Sequence, residues 1–240
     1  ITLHGIYSWV SPENRHQILD ILSNKLKPGG VVYVSYNCFT GWASSAPVQQ
    51  FLTDYIDRTN SESLAGVGKA TALVDQMRSA GAAFFGVNPQ AGKILDIALQ
   101  SDPRYLVHEY LTGNWTLFSL AQVANELVAA GLSYVGSADL THAFDVFHMT
   151  PEAQAMLGDI DDLLLQQSAR DFFMTSLLRK DIFVKDPQLI TSDQQTEALM
   201  DQRFCATKPA DQLPQHFNFP RGGVSLTADA HAAIEEALIQ

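Results

Sequence analysis

The clearest pattern of apolar and polar positions lies at the start of the chain and predicts a strand, a helix and a second strand. Residues 1–5 have the composition of a strand end that runs into a loop. A helix follows after Ser11 and Pro12, where apolar residues recur at positions 18, 19, 22 and 26, and it ends at Pro28. Residues 31–36 (VVYVSY) are β-branched and aromatic, which is typical of a buried strand.

Two strands joined by a helix predict a parallel pair, because such a crossover returns to the same sheet in the same direction. Ligands of parallel sheets bind beyond the carboxyl ends of the strands. Residues 4–9 follow the first strand, and residues 37–42 follow the second. We therefore expect both loops to open at one edge of the sheet.

The middle of the chain has the periodicity of helices. Residues 46–148 carry several amphipathic patterns, with helix caps at Asn88, Asp102 and Ser119, and a short strand near 132–135. We interpret this segment as a helical domain, and residues 1–45 as part of a sheet.

The remaining segment, residues 149–240, predicts an acidic α+β module. A helical stretch comes first, followed by a strand at 181–185 and a strand-turn-strand pattern at 217–226. A last helix is predicted after Thr227, with apolar residues at positions 230, 234, 237 and 238. Helices followed by a strand-turn-strand unit indicate a small module similar to a winged helix.

Composition and charge narrow the class of protein. Apolar residues make up 46% of the 240 residues, which is enough for a buried core. The formal net charge of −11 argues against nucleic acid as a partner, because binding to phosphates needs clustered Lys and Arg. No apolar run approaches the ~18 residues of a membrane span, so we expect no membrane partner. Cys38 and Cys205 lack the spacing of a disulfide scaffold or a zinc site, which favours a cytoplasmic location.

Several motifs resemble one family. HGIYSWVSPE at 4–13, LKPGGVVYVSYN at 26–37 and GW at 41–42 resemble bacterial class I S-adenosylmethionine-dependent methyltransferases that carry a methyltransferase regulatory domain. AAFFGVNP at 82–89 and YLVHEYLTGNW at 105–115 extend the resemblance. It implies a Rossmann-like sheet fragment followed by a mainly α-helical regulatory domain, in a chain that is the C-terminal part of the enzyme.

The chain departs from the family pattern at the cofactor. The family holds S-adenosylmethionine on a glycine-rich loop after its first strand, and both precede Ile1 in the family order. Gly66-Val67-Gly68 and residues 86–93 (GVNPQAGK) are poor substitutes, since neither has the spacing and the preceding strand of a nucleotide loop. The chain also begins without Met on an apolar strand end. We therefore expect a fragment that is inactive alone and binds the cofactor no tighter than millimolar, while the full-length protein uses it.

The loop after the first strand is where the resemblance implies the reacting methyl group. Tyr7 and Trp9 would form an aromatic collar around the sulfonium charge, and His4 would take up a proton or orient a backbone carbonyl. These three residues are the predicted catalytic residues, and Ser8 beside them is predicted to bind substrate. The alternative is that Tyr7 and Trp9 are core aromatics and His4 is a hydrogen-bonded loop residue.

The loop after the second strand supplies the other predicted substrate-binding residues, Asn37 and Trp42. The amide of Asn37 could hold a carboxylate, and the ring of Trp42 could cover an aliphatic amine. The alternative is a turn-forming Asn and a packing Trp. His142 and His148 lack a third ligand, so no metal site is predicted.

The resemblance implies that this chain is the C-terminal and regulatory portion of a methyltransferase whose acceptor is a protein amine. Its partners would be the upstream part of its own methyltransferase domain, a protein substrate and a second copy in a homodimer. The alternative function is a noncatalytic module for protein interaction or dimerisation.

Overall fold

Four strands form the main sheet of this protein. The computed structural model describes residues 1–60, 64–203, 209, 212, 214–225, 227–229 and 232. Within these residues the sheet has the order β1-β2-β4-β3. Its strands are β1 (Thr2–Leu3), β2 (Val31–Asn37), β3 (Leu132–Ser137) and β4 (Leu178–Lys185).

The first two strands form the parallel pair that the sequence predicts. Thr2 lies opposite Tyr33, and Leu3 lies opposite Val34. Helix α1 (Pro12–Lys25) connects the two strands, and the side chain of Ser11 caps it by accepting a hydrogen bond from the backbone of Asn14. The predicted crossover is therefore confirmed.

The third and fourth strands join the sheet from the later segments. Strand β4 lies between β2 and β3 and is antiparallel to both, with Tyr36 of β2 opposite Arg179. The sequence placed this strand in a separate winged-helix-like module, and that placement is wrong. Arg179, Asp181 and Phe183 of β4 alternate toward one buried face, and the backbone of β4 pairs with a strand on each side, so β4 is a central strand of the main sheet. The predicted boundaries after residues 45 and 148 stay a prediction, but one sheet takes strands from all three segments.

One face of the sheet carries the main core. Val32 and Val34 of β2 and Phe183 of β4 are fully buried there, against helix α8 (Leu120–Ala129) and the Leu22 side of α1. Helix α8 begins at Ser119, whose side chain forms a capping box with Gln122, as the sequence indicates for this start.

A layer of helices lies between β2 and α8 in the sequence. These helices are α2 (Phe39–Trp42), α3 (Ala46–Thr59), α4 (Leu64–Ser79), α5 (Ala83–Val87), α6 (Pro89–Gln100) and α7 (Pro103–Tyr110). Two apolar clusters hold the layer together, one around Trp42 and Tyr110 and the other around Leu52 and Leu95. The helical interpretation of this segment is confirmed for the described residues.

The last segment adds helices and a hairpin. Helices α9 (Pro151–Gly158) and α10 (Leu163–Met174) precede β4, and α11 (Ser192–Met200) follows it. Strands β5 (His216–Phe219) and β6 (Gly222–Ser225) form the predicted hairpin, in which Phe219 stacks on the Phe147 ring at 4.0 Å. Cys205 and the apolar positions of the predicted last helix lie outside the described residues. Among the described helices, none has the length and apolar character to cross a membrane.

Candidate functional site

The loops after β1 and β2 meet at the carboxyl edge of the sheet. The backbone N–H of Asn37 donates to the Ser8 hydroxyl at 2.8 Å, which ties one loop to the other. Phe118 lies beside them, because its N–H donates to the Asn37 carbonyl at 2.9 Å and its carbonyl accepts from Phe39. The expectation that both loops open at one edge is therefore confirmed.

Ser8 and Asn37 are both buried at this edge. The Ser8 carbonyl accepts a hydrogen bond from Thr116 at 2.9 Å, so backbone and side chain of Ser8 both hold neighbouring segments. Asn37 is 2% exposed, and its Nδ2 has no hydrogen-bond partner among the described residues. An unpaired buried amide is costly, so a ligand oxygen or a water at this position would be stabilised.

His4 lies at the exposed start of the first loop. Its Nδ1 is 3.0 Å from the Tyr33 hydroxyl and 3.4 Å from the Ser35 hydroxyl. The Ser35 hydroxyl also accepts from the backbone N–H of Gly5 at 2.9 Å. The imidazole is thus held by hydroxyl groups of β2 and remains accessible to solvent.

Tyr7 is fully buried under the first loop. Its ring lies 5.4 Å from the Phe118 ring, and its hydroxyl donates to Glu126, whose other contact is Arg15 at 3.8 Å. Burial, followed by the bond to Glu126, raises the pKa of Tyr7 far above its usual range. This is the packing that the sequence analysis gave as the alternative to a catalytic role.

Trp9 and Trp42, the two tryptophans predicted for the site, differ in burial and in contacts. Trp9 is half-buried, and its Nε1 donates to the carbonyl of Glu109 at 3.3 Å, which ties the first loop to α7. Trp42 is 4% exposed; its Nε1 donates to the Leu177 carbonyl at 3.0 Å, and its ring meets the ring of Trp115 edge to face. The catalytic and substrate-binding roles of these residues stay predictions, and Trp42 has the environment of a core residue.

A buried ionic cluster at the same edge was missed by the sequence analysis. Arg179 donates to both oxygens of Asp181 at 3.0 Å and also to Asp171. The Tyr36 hydroxyl donates to Asp181 at 2.5 Å, and the Cys38 thiol lies 3.7 Å from Asp171. We refer to these five residues as the ionic cluster. The register of β4 creates it, because Arg179 lies directly opposite Tyr36.

Burial and charge set the protonation of the ionic cluster. Burial raises the pKa of Asp171 despite the nearby Arg179 guanidinium. Burial and then the Asp181 charge raise the pKa of Tyr36 well above its usual range, and burial raises that of the Cys38 thiol. Cys38 is therefore a protonated thiol at neutral pH rather than a nucleophilic thiolate. No signal in the sequence pointed to the cluster, because Arg179, Lys180 and Asp181 are consecutive charged residues and such a run favours an exposed strand.

Other candidates from the sequence do not assemble into a site. Gly66 and Gly68 lie within helix α4, whereas the glycines of a nucleotide loop lie between a strand and a helix. The rings of His142 and His148 meet at 5.5 Å, and no group of three metal-ligating side chains occurs in the described part of the chain.

The chain is similar to one family model and to two curated proteins. Residues 102–185 match the family model described as "Predicted methyltransferase regulatory domain". The chain is 34% identical over 238 residues to the uncharacterized protein sll1526 of Synechocystis sp., covering 99% of this chain and 47% of that protein. It is 27% identical over 115 residues to the uncharacterized protein RP028 of Rickettsia prowazekii, which covers 46% of this chain and 44% of that protein. The chain thus spans about half the length of sll1526, the relative that aligns with almost all of this chain.

Solved structures share the fold. The structure of PKMT2 from Rickettsia typhi aligns with a TM-score of 0.67 at 21% identity, covering 99% of this chain and 48% of that one. PKMT2 in complex with AdoHcy aligns with a TM-score of 0.66 at 23% identity, covering 84% and 38%. The fold is therefore a mixed α/β fold similar to that of a methyltransferase structure. The resemblance seen in the motifs is confirmed, because residues 102–185 match the model of a methyltransferase regulatory domain.

Proposed function

We propose that this chain is the C-terminal and regulatory portion of an S-adenosylmethionine-dependent methyltransferase. The observation that carries the proposal is the overlap of two features. The regulatory-domain match at 102–185 includes β3 and β4, and both strands belong to the sheet whose carboxyl edge holds the predicted site. The regulatory segment and the site therefore share one hydrogen-bonded sheet.

We infer that another part of a longer methyltransferase supplies the cofactor site. Among the described residues, Gly66 and Gly68 lie in α4, and Gly86 and Gly92 lie in α5 and α6, so none follows a strand. A glycine loop between a strand and a helix is what would hold the methionine end of the cofactor. When bound, S-adenosylmethionine supplies the electrophilic methyl group, and the residues of this chain act on the acceptor.

The carboxyl edge of the sheet offers two groups for the acceptor. The amide nitrogen of Asn37 is a buried donor without a partner among the described residues, so it could donate a hydrogen bond to an oxygen of the methyl acceptor. The His4 imidazole is exposed and hydrogen-bonded to Tyr33, so it could take the proton that an amine must lose before it attacks. Tyr7 and Ser8 hold the loop in place through their bonds to Glu126 and Asn37.

A protein amine is the acceptor that we propose. The motif resemblance supports it, because relatives in that family include protein-lysine methyltransferases. The net charge of −11 supports it too, since an acidic surface attracts a cationic, lysine-bearing protein.

The test is a calorimetric titration of S-adenosylmethionine, first with the protein encoded by the whole gene and then with the 240-residue chain. We expect micromolar binding to the longer protein and none tighter than millimolar to the chain. A gene that encodes these 240 residues alone, or a longer protein that does not bind the cofactor, would contradict the proposal.

The roles of the two edge residues are tested by acceptor kinetics in the longer protein. Asn37→Ala should raise KM for a lysine-bearing acceptor, and His4→Asn should lower kcat. Asn24→Ala is the matched control, because Asn24 donates to the Asp20 carbonyl on the exposed side of α1. Equal kinetics for Asn37→Ala and Asn24→Ala would remove Asn37 from the site.

A dimerisation module is the second candidate function, and one observation favours it. Val31 of β2 and Val135 of β3 are about half exposed, and within the described part of the chain β1 is an end strand with one unpaired edge. Sedimentation distinguishes the candidates, since a stable dimer of the whole gene product with no cofactor binding would favour the noncatalytic module.

A further inference from the structure

The imidazole of His4 faces two hydroxyl groups on one face of the sheet. Tyr33 and Ser35 are two residues apart in β2, so their side chains lie on the same face. The His4 Nδ1 is 3.0 Å from the Tyr33 hydroxyl and 3.4 Å from the Ser35 hydroxyl. Val32 and Val34 lie on the opposite face, in the main core. The three polar side chains are thus grouped outside that core, at the start of the loop after β1.

Ser35 determines which nitrogen of neutral His4 carries the hydrogen. Ser35 is fully buried, and its hydroxyl oxygen accepts a hydrogen bond from the backbone N–H of Gly5 at 2.9 Å. The hydroxyl hydrogen of Ser35 still needs an acceptor, and among the described residues His4 Nδ1 is the one within reach. If Nδ1 carried a hydrogen, the hydroxyl hydrogen of Ser35 would be left unpaired. Neutral His4 therefore carries its hydrogen on Nε2, and Nδ1 is the basic nitrogen.

The basic nitrogen of His4 is turned toward β2, so a proton must reach it through a neighbouring group. Ser35 is enclosed, whereas the hydrogen bond between His4 and Tyr33 is exposed to solvent. The Tyr33 hydroxyl lies within hydrogen-bond distance of Nδ1 and can donate to it, while its oxygen keeps a lone pair for a second donor. Tyr33 thus connects Nδ1 of His4 with the accessible side of the site.

We propose that Tyr33 is a further catalytic residue, which passes the proton of the acceptor amine to His4. The ammonium group of the acceptor donates to the Tyr33 oxygen. As its proton moves to that oxygen, the O–H bond of Tyr33 breaks and the hydroxyl proton passes to His4 Nδ1. The products are a neutral amine with a free electron pair, an intact Tyr33 hydroxyl and an imidazolium, which later releases a proton to water. The inference rests on the proposed function and names the group between the acceptor and its base.

The tautomer of His4 is measured by nitrogen-15 NMR of the 240-residue chain at about pH 9, where a histidine side chain is ordinarily neutral. His4→Asn identifies the His4 signals by their loss. We expect a hydrogen on Nε2 and none on Nδ1. Ser35→Ala should give a mixture of both tautomers, because the hydroxyl that excludes a hydrogen from Nδ1 is removed. Ser101→Ala is the matched control, since the Ser101 hydroxyl donates to the Ile97 carbonyl at the end of α6.

The proton relay is tested by the kinetics of the longer protein with a saturating lysine-bearing acceptor. Tyr33→Phe keeps the ring and should lower kcat about a hundredfold near pH 8, as is usual when a side chain that transfers a proton is lost. At about pH 10.5 half of ordinary lysine side chains are already neutral, so the loss should shrink to about threefold or less. Tyr33→Phe combined with His4→Asn should be no slower than His4→Asn, because both residues act on one proton. Tyr55→Phe is the control, since Tyr55 packs among the helices on α3.

Three results would overturn the relay in an active enzyme. They are a hydrogen on Nδ1 of neutral His4, equal kcat values for Tyr33→Phe and Tyr55→Phe, and a loss in Tyr33→Phe that is the same at both pH values, which would indicate a structural role. Failure of the proposed function has a different signature. The unchanged longer protein would then transfer no methyl group to a lysine-bearing acceptor, and the relay would fall with it, whereas the tautomer measurement involves neither cofactor nor acceptor.

Discussion

The buried ionic cluster is the place where one substitution should cost most. Arg179, Asp171 and Asp181 have side chains that are 8%, 6% and 1% exposed. In Arg179→Met, two carboxylates would remain in the interior without their cation. Breaking a buried pair in this way costs about 3–5 kcal/mol. We therefore expect the free energy of unfolding to fall by about that amount.

Urea unfolding of the 240-residue chain, followed by circular dichroism, measures this loss. The slope of free energy against urea should stay constant, because the substitution does not change how much surface unfolding exposes. Arg179→Met combined with Asp171→Asn and Asp181→Asn should recover part of the stability, since no unpaired charge then remains. This recovery separates the cost of an unpaired charge from the cost of lost packing.

Arg78 provides the matched control. It also bonds two carboxylates, those of Asp75 and Asp96, both at 2.6 Å, but this trio lies at the surface. Solvent screens such pairs, so Arg78→Met should cost far less than Arg179→Met. Equal losses for Arg78→Met and Arg179→Met would refute the reasoning that burial, rather than the number of ion pairs, decides the cost.

Three further predictions concern the stability of variants at Tyr7, Trp42 and His142, the last of them at low pH. Tyr7→Phe should lower the free energy of unfolding in urea by about 0.5–1.5 kcal/mol, because one hydrogen bond to Glu126 is lost. Tyr7→Ala should lower it by about 3–5 kcal/mol, because a fully buried ring is removed. Trp42→Ala should likewise cost about 3–5 kcal/mol, and a smaller loss would reopen its role as a substrate-facing residue. Burial lowers the pKa of His142 in the folded state. Its contribution to stability is therefore present above the pKa of the unfolded state and is lost as pH falls through the pKa of the folded state. His142→Gln should reduce the loss of melting temperature below about pH 6.5.

The sequence predicted those parts of the fold that depend on local patterns. The crossover from β1 to β2 follows from a capped helix between two apolar runs, and the starts of α7 and α8 follow from Asp102 and Ser119. In each case a cap side chain bonds to a backbone group two or three residues away. Such signals are contained within a few residues, so they can be recognised without knowing the rest of the structure.

The position of β4 could not be predicted in the same way. The run that forms it was recognised as a strand, but its partners are about 150 residues earlier in β2 and about 50 residues earlier in β3. The pairing depends on Arg179 and Asp181, whose charges favour an exposed strand by composition alone. Their pairing with each other, together with the bonds to Tyr36 and Asp171, makes their burial possible. The same long-range pairing explains why the ionic cluster was missed.

The end of β2 links this cluster to the candidate site. Tyr36 and Asn37 are neighbours in a strand, so their side chains point to opposite faces of the sheet. Tyr36 bonds to Asp181 of β4, while the backbone of Asn37 bonds to Ser8. A slip of β4 by one residue would move Arg179 and Asp181 to the other face and leave the Tyr36 hydroxyl without its acceptor. The ionic cluster therefore fixes the register of β4 against the strand end that holds the loop after β1, and through that register it positions the edge at which we propose the acceptor binds.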